Sequence, residues 1–175
     1  MNSVFVNRII RACKLEVNLY EEVEADKSAT IQAALVVILS IVAFGIGNFF
    51  TYGQMHILMP VLAALAGWIC TAVLIYFVGA KLFPDKNTQS NLGELLRTIG
   101  FSYSPGLIRI FGFNQDLLAI TFIGSGIWSV IAMVIAVRQA LDYQSTWRAV
   151  GVVLIVALFQ AYVAFKLGIM PSGDF

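Results

Sequence analysis

Long apolar runs separated by short polar segments dominate this chain. Three of the runs, residues 29–50, 58–80 and 117–137, contain no charged side chain, and a fourth, residues 147–167, carries charge only near its two ends. A helix rises about 1.5 Å per residue, so about 20 apolar residues cross a hydrocarbon core about 30 Å thick. The pattern therefore predicts four transmembrane helices at these positions.

The stretch between the second and third of these runs is harder to assign. Residues 95–113 are apolar enough to cross a membrane, but Gly100, Pro105 and Gly106 interrupt them, and Arg97 and Arg109 lie near their ends. Broken helices are tolerated at membrane depth only where neighbouring protein groups satisfy the freed backbone. We therefore predict a further span inside the bundle, broken near Pro105. The predicted fold is an all-α integral membrane bundle of five transmembrane helices.

Residues 1–27 show a different periodicity. Apolar residues recur at three- and four-residue steps, which predicts an amphipathic helix, while Arg8, Arg11 and Lys14 lie on another face. One interpretation is an interfacial helix whose basic residues contact anionic lipid headgroups. The alternative is a cytoplasmic helix packed on the rest of the bundle. The predicted organisation is thus a cytoplasmic segment at 1–27, a membrane domain at 28–170 and an external tail at 171–175.

Composition and charge add the orientation. The chain is 59% hydrophobic and 12% charged, with a net charge of +1, so nothing indicates a nucleic-acid partner. Of its 11 basic residues, only Arg109 and Lys166 fall on one predicted side of the membrane. Cytoplasmic loops are enriched in Lys and Arg. We therefore predict a multi-pass protein of the inner (plasma) membrane, with a cytoplasmic N-terminus and an external C-terminus.

Few residues are candidates for binding chemistry. His56 is the single histidine, and it is a candidate ligand for a chlorophyll-type pigment. An interfacial side chain beside Met55 and Met59 is the favoured interpretation, because metal sites usually need several ligands with supporting spacing. Glu94 and Arg97 are spaced to form a helical pair. Arg109 is placed either to extend to the outer headgroups or to pair with Asp116.

Catalytic signatures are not found in the sequence. There is no nucleophile elbow, Walker loop or Cys-x-x-Cys motif, and the acidic cluster Glu21, Glu22, Glu24 and Asp26 is not accompanied by a glycine-bearing calcium loop. The sequence predicts a protein that is not an enzyme, with no metal and no catalytic residue. Lipid is the ligand that such a composition allows.

Several segments together resemble a known family. They are Leu19-Tyr20-Glu21-Glu22-Val23-Glu24, the stretch from Gly93 to Ser102, Pro105-Gly106-Leu107, Trp128, and Ala136 to Asp142. With the span pattern, they resemble the Yip-domain family of Ypt/Rab-GTPase-interacting membrane proteins, most closely its bacterial branch. The Asp-Leu-Tyr-Gly-Pro motif of the eukaryotic members is reduced here to Leu19-Tyr20, so Rab binding is not carried over. The resemblance implies that Gly100 to Gly106 is a family signature.

Three functional hypotheses remain at this stage. The first is a non-enzymatic scaffold or accessory subunit that packs against other integral membrane proteins, in a larger complex or as a homo-oligomer. Its structural or interaction residues are Glu94, Arg97, Gly100, Pro105, Gly106 and Arg109. The second is a passive conduit or lipid-handling protein with a cavity beside the broken third span. The third is a pigment- or cofactor-holding accessory subunit that uses His56.

Overall fold

The computed structural model describes residues 3–53, 56–86, 88 and 90–167. Every element within these ranges is helical, and none is a strand. The α-helices are α1 (Ser3–Cys13), α2 (Val17–Ala25), α3 (Ala29–Tyr52), α4 (Leu58–Ile75), α5 (Leu92–Phe101), α6 (Gln115–Ala140) and α7 (Thr146–Lys166). A π-helix, Tyr76–Leu82, continues α4, and a 3₁₀-helix, Ser104–Phe111, follows α5. The predicted tail at 171–175 lies outside the described residues.

Four helices are long and apolar enough to cross a membrane. They span Ala29–Tyr52, Leu58–Leu82, Gln115–Ala140 and Thr146–Lys166, with 24, 25, 26 and 21 residues. The first three helices contain the whole of the apolar run predicted there, and the fourth contains all of its run except the last residue. Such a run is stable in lipid only when its backbone groups are bonded within a helix. The prediction of four transmembrane helices from these runs is supported on length and composition.

The predicted third span is not one continuous helix. The α-helix begins at a capping box, in which Asn91 accepts from the Glu94 amide at 3.1 Å and the Glu94 carboxylate accepts from the Asn91 amide at 2.9 Å. It ends at Phe101, and the 3₁₀-helix starts at Ser104 with Pro105 in its first turn. Proline disfavours α-helical geometry in the residue before it and clashes with the preceding turn. The interruption therefore precedes Pro105, at Ser102 and Tyr103.

The N-terminal segment consists of two helices rather than the single one predicted. The chain turns between α1 and α2, where Leu15 has a φ of 60°. Phe5, Arg8 and Ala12 of α1 are buried against the rest of the chain, whereas Val6 and Ile10 are exposed. Arg8 is buried where it forms ion pairs with Glu22 on α2 and Asp26 just after it.

Small residues allow the broken segment to lie directly on α3. A Cβ atom at Gly100 would lie 2.6 Å from the Ala33 Cβ, and one at Gly106 would lie 1.9 Å from the Ser40 Oγ. In contrast, a Cβ atom at Gly67 or Gly124 would meet nothing within 4 Å. Close approach through glycine is therefore used between the broken segment and α3, and not at Gly67 of α4 or Gly124 of α6.

Candidate functional site

The segment Leu92–Phe111 lies between α3 and α6 and holds the two arginines that the sequence singled out. It packs closely against both helices along its length, and α2 contacts its first half. Ile99, Gly100 and Phe101 are buried, as are Ser104, Pro105 and Gly106. The charged side chains of this segment must therefore find their partners inside the bundle.

Arg97 is bound to the end of α2. Its side chain is 6% exposed, and its Nε donates to the carbonyl oxygens of Val23 at 2.9 Å and Glu24 at 3.1 Å, while Nη2 also donates to the Glu24 carbonyl. The last carbonyls of a helix have no partner within the helix, and a cation is favourable there. The predicted helical pair with Glu94 is wrong, because the Glu94 carboxylate caps α5 instead.

Arg109 points back into the bundle. Its Nε donates to the Ser125 Oγ at 2.7 Å, and its guanidinium carbon lies 4.8 Å from the ring centre of Phe122 and 6.0 Å from that of Phe44. Among the described residues, no carboxylate lies within 4.0 Å of it. The structure thus supports neither the extension to the outer headgroups nor the pairing with Asp116. The guanidinium is held by one hydroxyl and two aromatic rings.

Two grooves are lined by Phe44, one of the two rings beside this arginine. One, of about 270 Å³, is lined by Phe44, Asn48 and Tyr52 together with His56, and the other, of about 370 Å³, by the same first three with Phe122. His56 is exposed at the first groove. Within the ranges the structure describes, no three His, Cys, Asp or Glu residues come together as a metal site. A ligand at His56 stays a prediction.

The basic residues of α1 are bound to carboxylates. Arg8 contacts Glu22 and Asp26 at 2.8 Å and 2.9 Å, and Arg11 contacts Glu16 at 2.9 Å and also Glu22. The hydrogen bond from Arg11, followed by that from Arg8, lowers the pKa of Glu22. Lys14 is exposed. The predicted binding of lipid headgroups by Arg8, Arg11 and Lys14 stays a prediction, and two of these side chains would have to leave their ion pairs to do it.

Glu24 lies near other carboxylates, whereas Glu22 is bound by arginines. Burial, together with the nearby carboxylates of Glu94, Asp142 and Glu21, raises its pKa to about 7, while Arg97 opposes the shift. The ordinary pKa of the group is 4.5. Because the folded protein holds this proton more tightly than the unfolded chain, the charged form of Glu24 destabilises the fold above pH 7 and the neutral form does not.

The ionisation of Glu24 makes the free energy of unfolding depend on pH. As the pH rises from 4.5 to about 7, the folded state binds more protons than the unfolded state at Glu24, so this group lowers the free energy of unfolding across that window. We expect Glu24→Gln to be more stable than the wild type at pH 8 by about 1 to 3 kcal/mol and equal to it near pH 4.5. Thermal unfolding of both proteins between these pH values measures the difference.

A matched control is available at the other end of the bundle. Asp116 is an exposed carboxylate in the first turn of α6. Asp116→Asn should not show the gain that grows with pH. An equal gain at pH 4.5 and pH 8 in Glu24→Gln would show that the effect comes from packing and not from ionisation.

The contacts around Tyr143 were not predicted. Its hydroxyl lies 2.8 Å from the Gly79 carbonyl oxygen and 2.9 Å from that of Phe83, at the π-helix, and its side chain is 3% exposed. Nearby, Arg148 reaches Asp85 at 3.5 Å and the Pro84 carbonyl at 3.3 Å. No sequence signal marked these residues, because the acceptors are mostly main-chain carbonyls.

These features define a class of protein. Four helices are long and apolar enough to cross a membrane, a short-helix segment is buried among them, and two amphipathic helices pack at one end. The chain is therefore a multi-helix integral membrane protein. Residues 19–167 match the model of the Yip1 domain, so the chain belongs to the Yip1 domain family. No curated protein and no solved structure gave a match.

Proposed function

We propose that the chain crosses the membrane five times, and that α5 with the 3₁₀-helix makes the third crossing. Ten α-helical and eight 3₁₀-helical residues extend over about 31 Å, the thickness of a hydrocarbon core. Gly100 lies at the level of Ala33 near the start of α3, whereas Gly112 accepts a 3.1 Å hydrogen bond from Thr51 at its end. This parallel course supports a crossing, with the N-terminus cytoplasmic by the distribution of basic residues.

The function we propose is a non-enzymatic membrane scaffold or accessory subunit that packs against other integral membrane proteins. The observation that carries it is Arg109. One of its five N–H groups is bonded to Ser125, and its guanidinium lies over rings that line an open groove. An ionisable side chain at membrane depth is costly and normally has a partner of opposite charge. A carboxylate on a helix of a partner protein provides one.

The depth of the contact favours a protein over a lipid phosphate. Ser125 lies ten residues into α6, counted from Gln115, which is about 15 Å from the end of the helix. Phosphates of the bilayer stay near the surface, whereas a transmembrane helix can carry a carboxylate to this depth. A second copy of this chain is disfavoured, because the sequence has no Asp or Glu inside its apolar runs.

This proposal predicts a contact that depends on Arg109. A photoreactive amino acid in place of Ile123, which lines the groove and is exposed, should cross-link to a distinct membrane protein in native membranes. Arg109→Ala in the same chain should reduce the cross-link about tenfold or more, because a charge-assisted pair in lipid is lost. Arg109→Lys should retain part of it, since the charge remains.

Two further variants make the test specific. Lys166→Ala removes a basic side chain from an exposed site at the end of α7 and should leave the cross-link unchanged. When the partner is identified, exchanging its carboxylate for arginine and Arg109 for aspartate should restore the contact. Equal cross-linking in wild type and Arg109→Ala, with both proteins folded, would refute the proposal.

The other two hypotheses are less well supported by the geometry. Pro105 and Gly106 are buried, and a Cβ atom at Gly106 would collide with Ser40, so the packing at the break itself is tight. The groove beside the segment, of about 450 Å³, begins only after the break, where Leu107 and Ile108 face α3. Among the described residues, no group of three His, Cys, Asp or Glu side chains that could hold a metal ion includes His56. The scaffold therefore explains the arrangement best.

A further inference from the structure

A second groove lies at the other end of the bundle, between the π-helix and α7. Its outer part has a volume of about 430 Å³ and is bordered by Pro84, Tyr143 and Arg148. Its inner part has a volume of about 270 Å³ and an entirely apolar lining that includes Phe77 and Phe159. Leu82 and Ile155 line both parts, so the two are continuous. We call this the α4–α7 groove.

The π-helix shapes the wall of this groove. Its i→i+5 bonding is seen in the 2.9 Å bond from the Phe83 amide to the Val78 carbonyl. Such wider turns are rare and often mark functional sites. Tyr143 fixes the distortion by contacting the Gly79 and Phe83 carbonyl oxygens, and Gly79 has no space for a Cβ, which would lie 2.4 Å from the Leu141 Cδ1. The groove is therefore a built feature of the fold.

Arg148 supplies the charge at the outer part. Its side chain is 51% exposed, and its Nη1 is 3.5 Å from the Asp85 carboxylate and 3.3 Å from the Pro84 carbonyl. These contacts hold the guanidinium at the groove and leave other N–H groups free for an anion. Asp85 is a single negative charge, and the neighbouring chain also carries the exposed cations Lys81 and Lys86. The local charge is positive.

The charged and apolar parts of the groove are spaced along α7 as the headgroup and acyl chains of a lipid are spaced in a membrane. Trp147 is 82% exposed in the first turn of α7, which is the position of an interfacial aromatic anchor. Arg148 lies at that level, while Ile155 and Phe159 lie about 10 Å and 17 Å further along the helix. The charged end therefore lies at the headgroup level and the apolar end at the level of acyl chains.

We propose that the α4–α7 groove binds one anionic phospholipid, with its phosphate on Arg148 and an acyl chain along the apolar part. A free phosphate compound would use only the outer part, whereas the continuous apolar part fits a chain. The site is separate from Arg109, and it does not depend on the partner proposed there.

Native mass spectrometry of the full chain from detergent tests this proposal. Phosphatidylglycerol and phosphatidylcholine with identical acyl chains are titrated onto the delipidated protein. The choline ammonium of phosphatidylcholine offsets its phosphate, whereas phosphatidylglycerol keeps a net negative charge. We therefore expect the wild type to retain one phosphatidylglycerol about tenfold more tightly than phosphatidylcholine, and Arg148→Ala to lose this preference. Ile155→Trp keeps Arg148 but fills the groove at the junction of its two parts, and it should weaken retention of both lipids.

Controls separate this site from general attraction to basic surfaces. Lys27→Ala removes an exposed cation that lies outside the groove and should keep the preference. Glycerol phosphate, added in excess, should not displace the lipid. The proposal is overturned if Arg148→Ala retains the wild-type preference, if Ile155→Trp binds both lipids normally, or if glycerol phosphate competes as well as the lipid does. Thermal unfolding of each variant confirms that it is folded.

Discussion

Replacing Gly100 by alanine should lower the stability of the solubilised protein by about 2 kcal/mol, although alanine is the better helix former. The new Cβ would lie 2.6 Å from the Ala33 Cβ, 3.1 Å from its Cα and 3.2 Å from its carbonyl carbon. The closest of these atoms, the Ala33 Cβ, is attached directly to the backbone of α3 and cannot rotate away, so α5 and α3 must separate. Close approach of helices through small residues is a main source of stability in membrane proteins, where burial of apolar surface adds little.

The same pair of helices allows a compensating change. Ala33→Gly in the Gly100→Ala chain removes the closest of the three contacts, and we expect it to restore most of the lost stability. Gly67→Ala is the matched control, because a Cβ atom there meets nothing within 4 Å. Thermal unfolding in detergent, followed by tryptophan fluorescence, compares the four proteins. A Gly100→Ala protein as stable as Gly67→Ala would contradict the packing described here.

Replacing Arg97 by alanine should have an effect of similar or larger size, about 3 kcal/mol. The side chain is 6% exposed, and it bonds the carbonyl oxygens of Val23 and Glu24 at the end of α2. Without it, these buried carbonyls lose their donor, and α2 loses its attachment to α5. Arg97→Lys should recover only part of the loss, since an ammonium group does not reproduce the forked geometry of guanidinium.

Local measurements distinguish this effect from general unfolding. Hydrogen exchange should increase first in α2, and cleavage by a protease should appear between α2 and α3, before the apolar helices change. Lys14→Ala changes an exposed cation in the same region and serves as the control. If α2 stays as protected in Arg97→Ala as in the wild type, the hydrogen bonds from Arg97 do not hold it.

The two arginines show how far the candidate site was predictable. Each stood out in the sequence because a charge in an apolar stretch is expensive and needs a partner. Their partners did not stand out, since Arg97 bonds carbonyl oxygens 74 residues earlier in the chain and Arg109 bonds the hydroxyl of Ser125. Main-chain carbonyls and single serines have no recognisable sequence pattern. The prediction therefore paired each arginine with the carboxylate nearest to it in the sequence, Glu94 for Arg97 and Asp116 for Arg109.

The sequence alone determined the properties that depend on a single segment. The absence of charge over about 20 residues forces a helix in lipid, so α3, α4, α6 and α7 were predicted to within a few residues, and the family followed from local motifs. The tertiary structure decided which face of α1 is buried, how closely the third segment packs on α3 and which atoms satisfy each arginine. These outcomes depend on contacts between distant residues, such as Gly100 with Ala33 and Arg8 with Glu22, whose geometry exists only when the helices are packed.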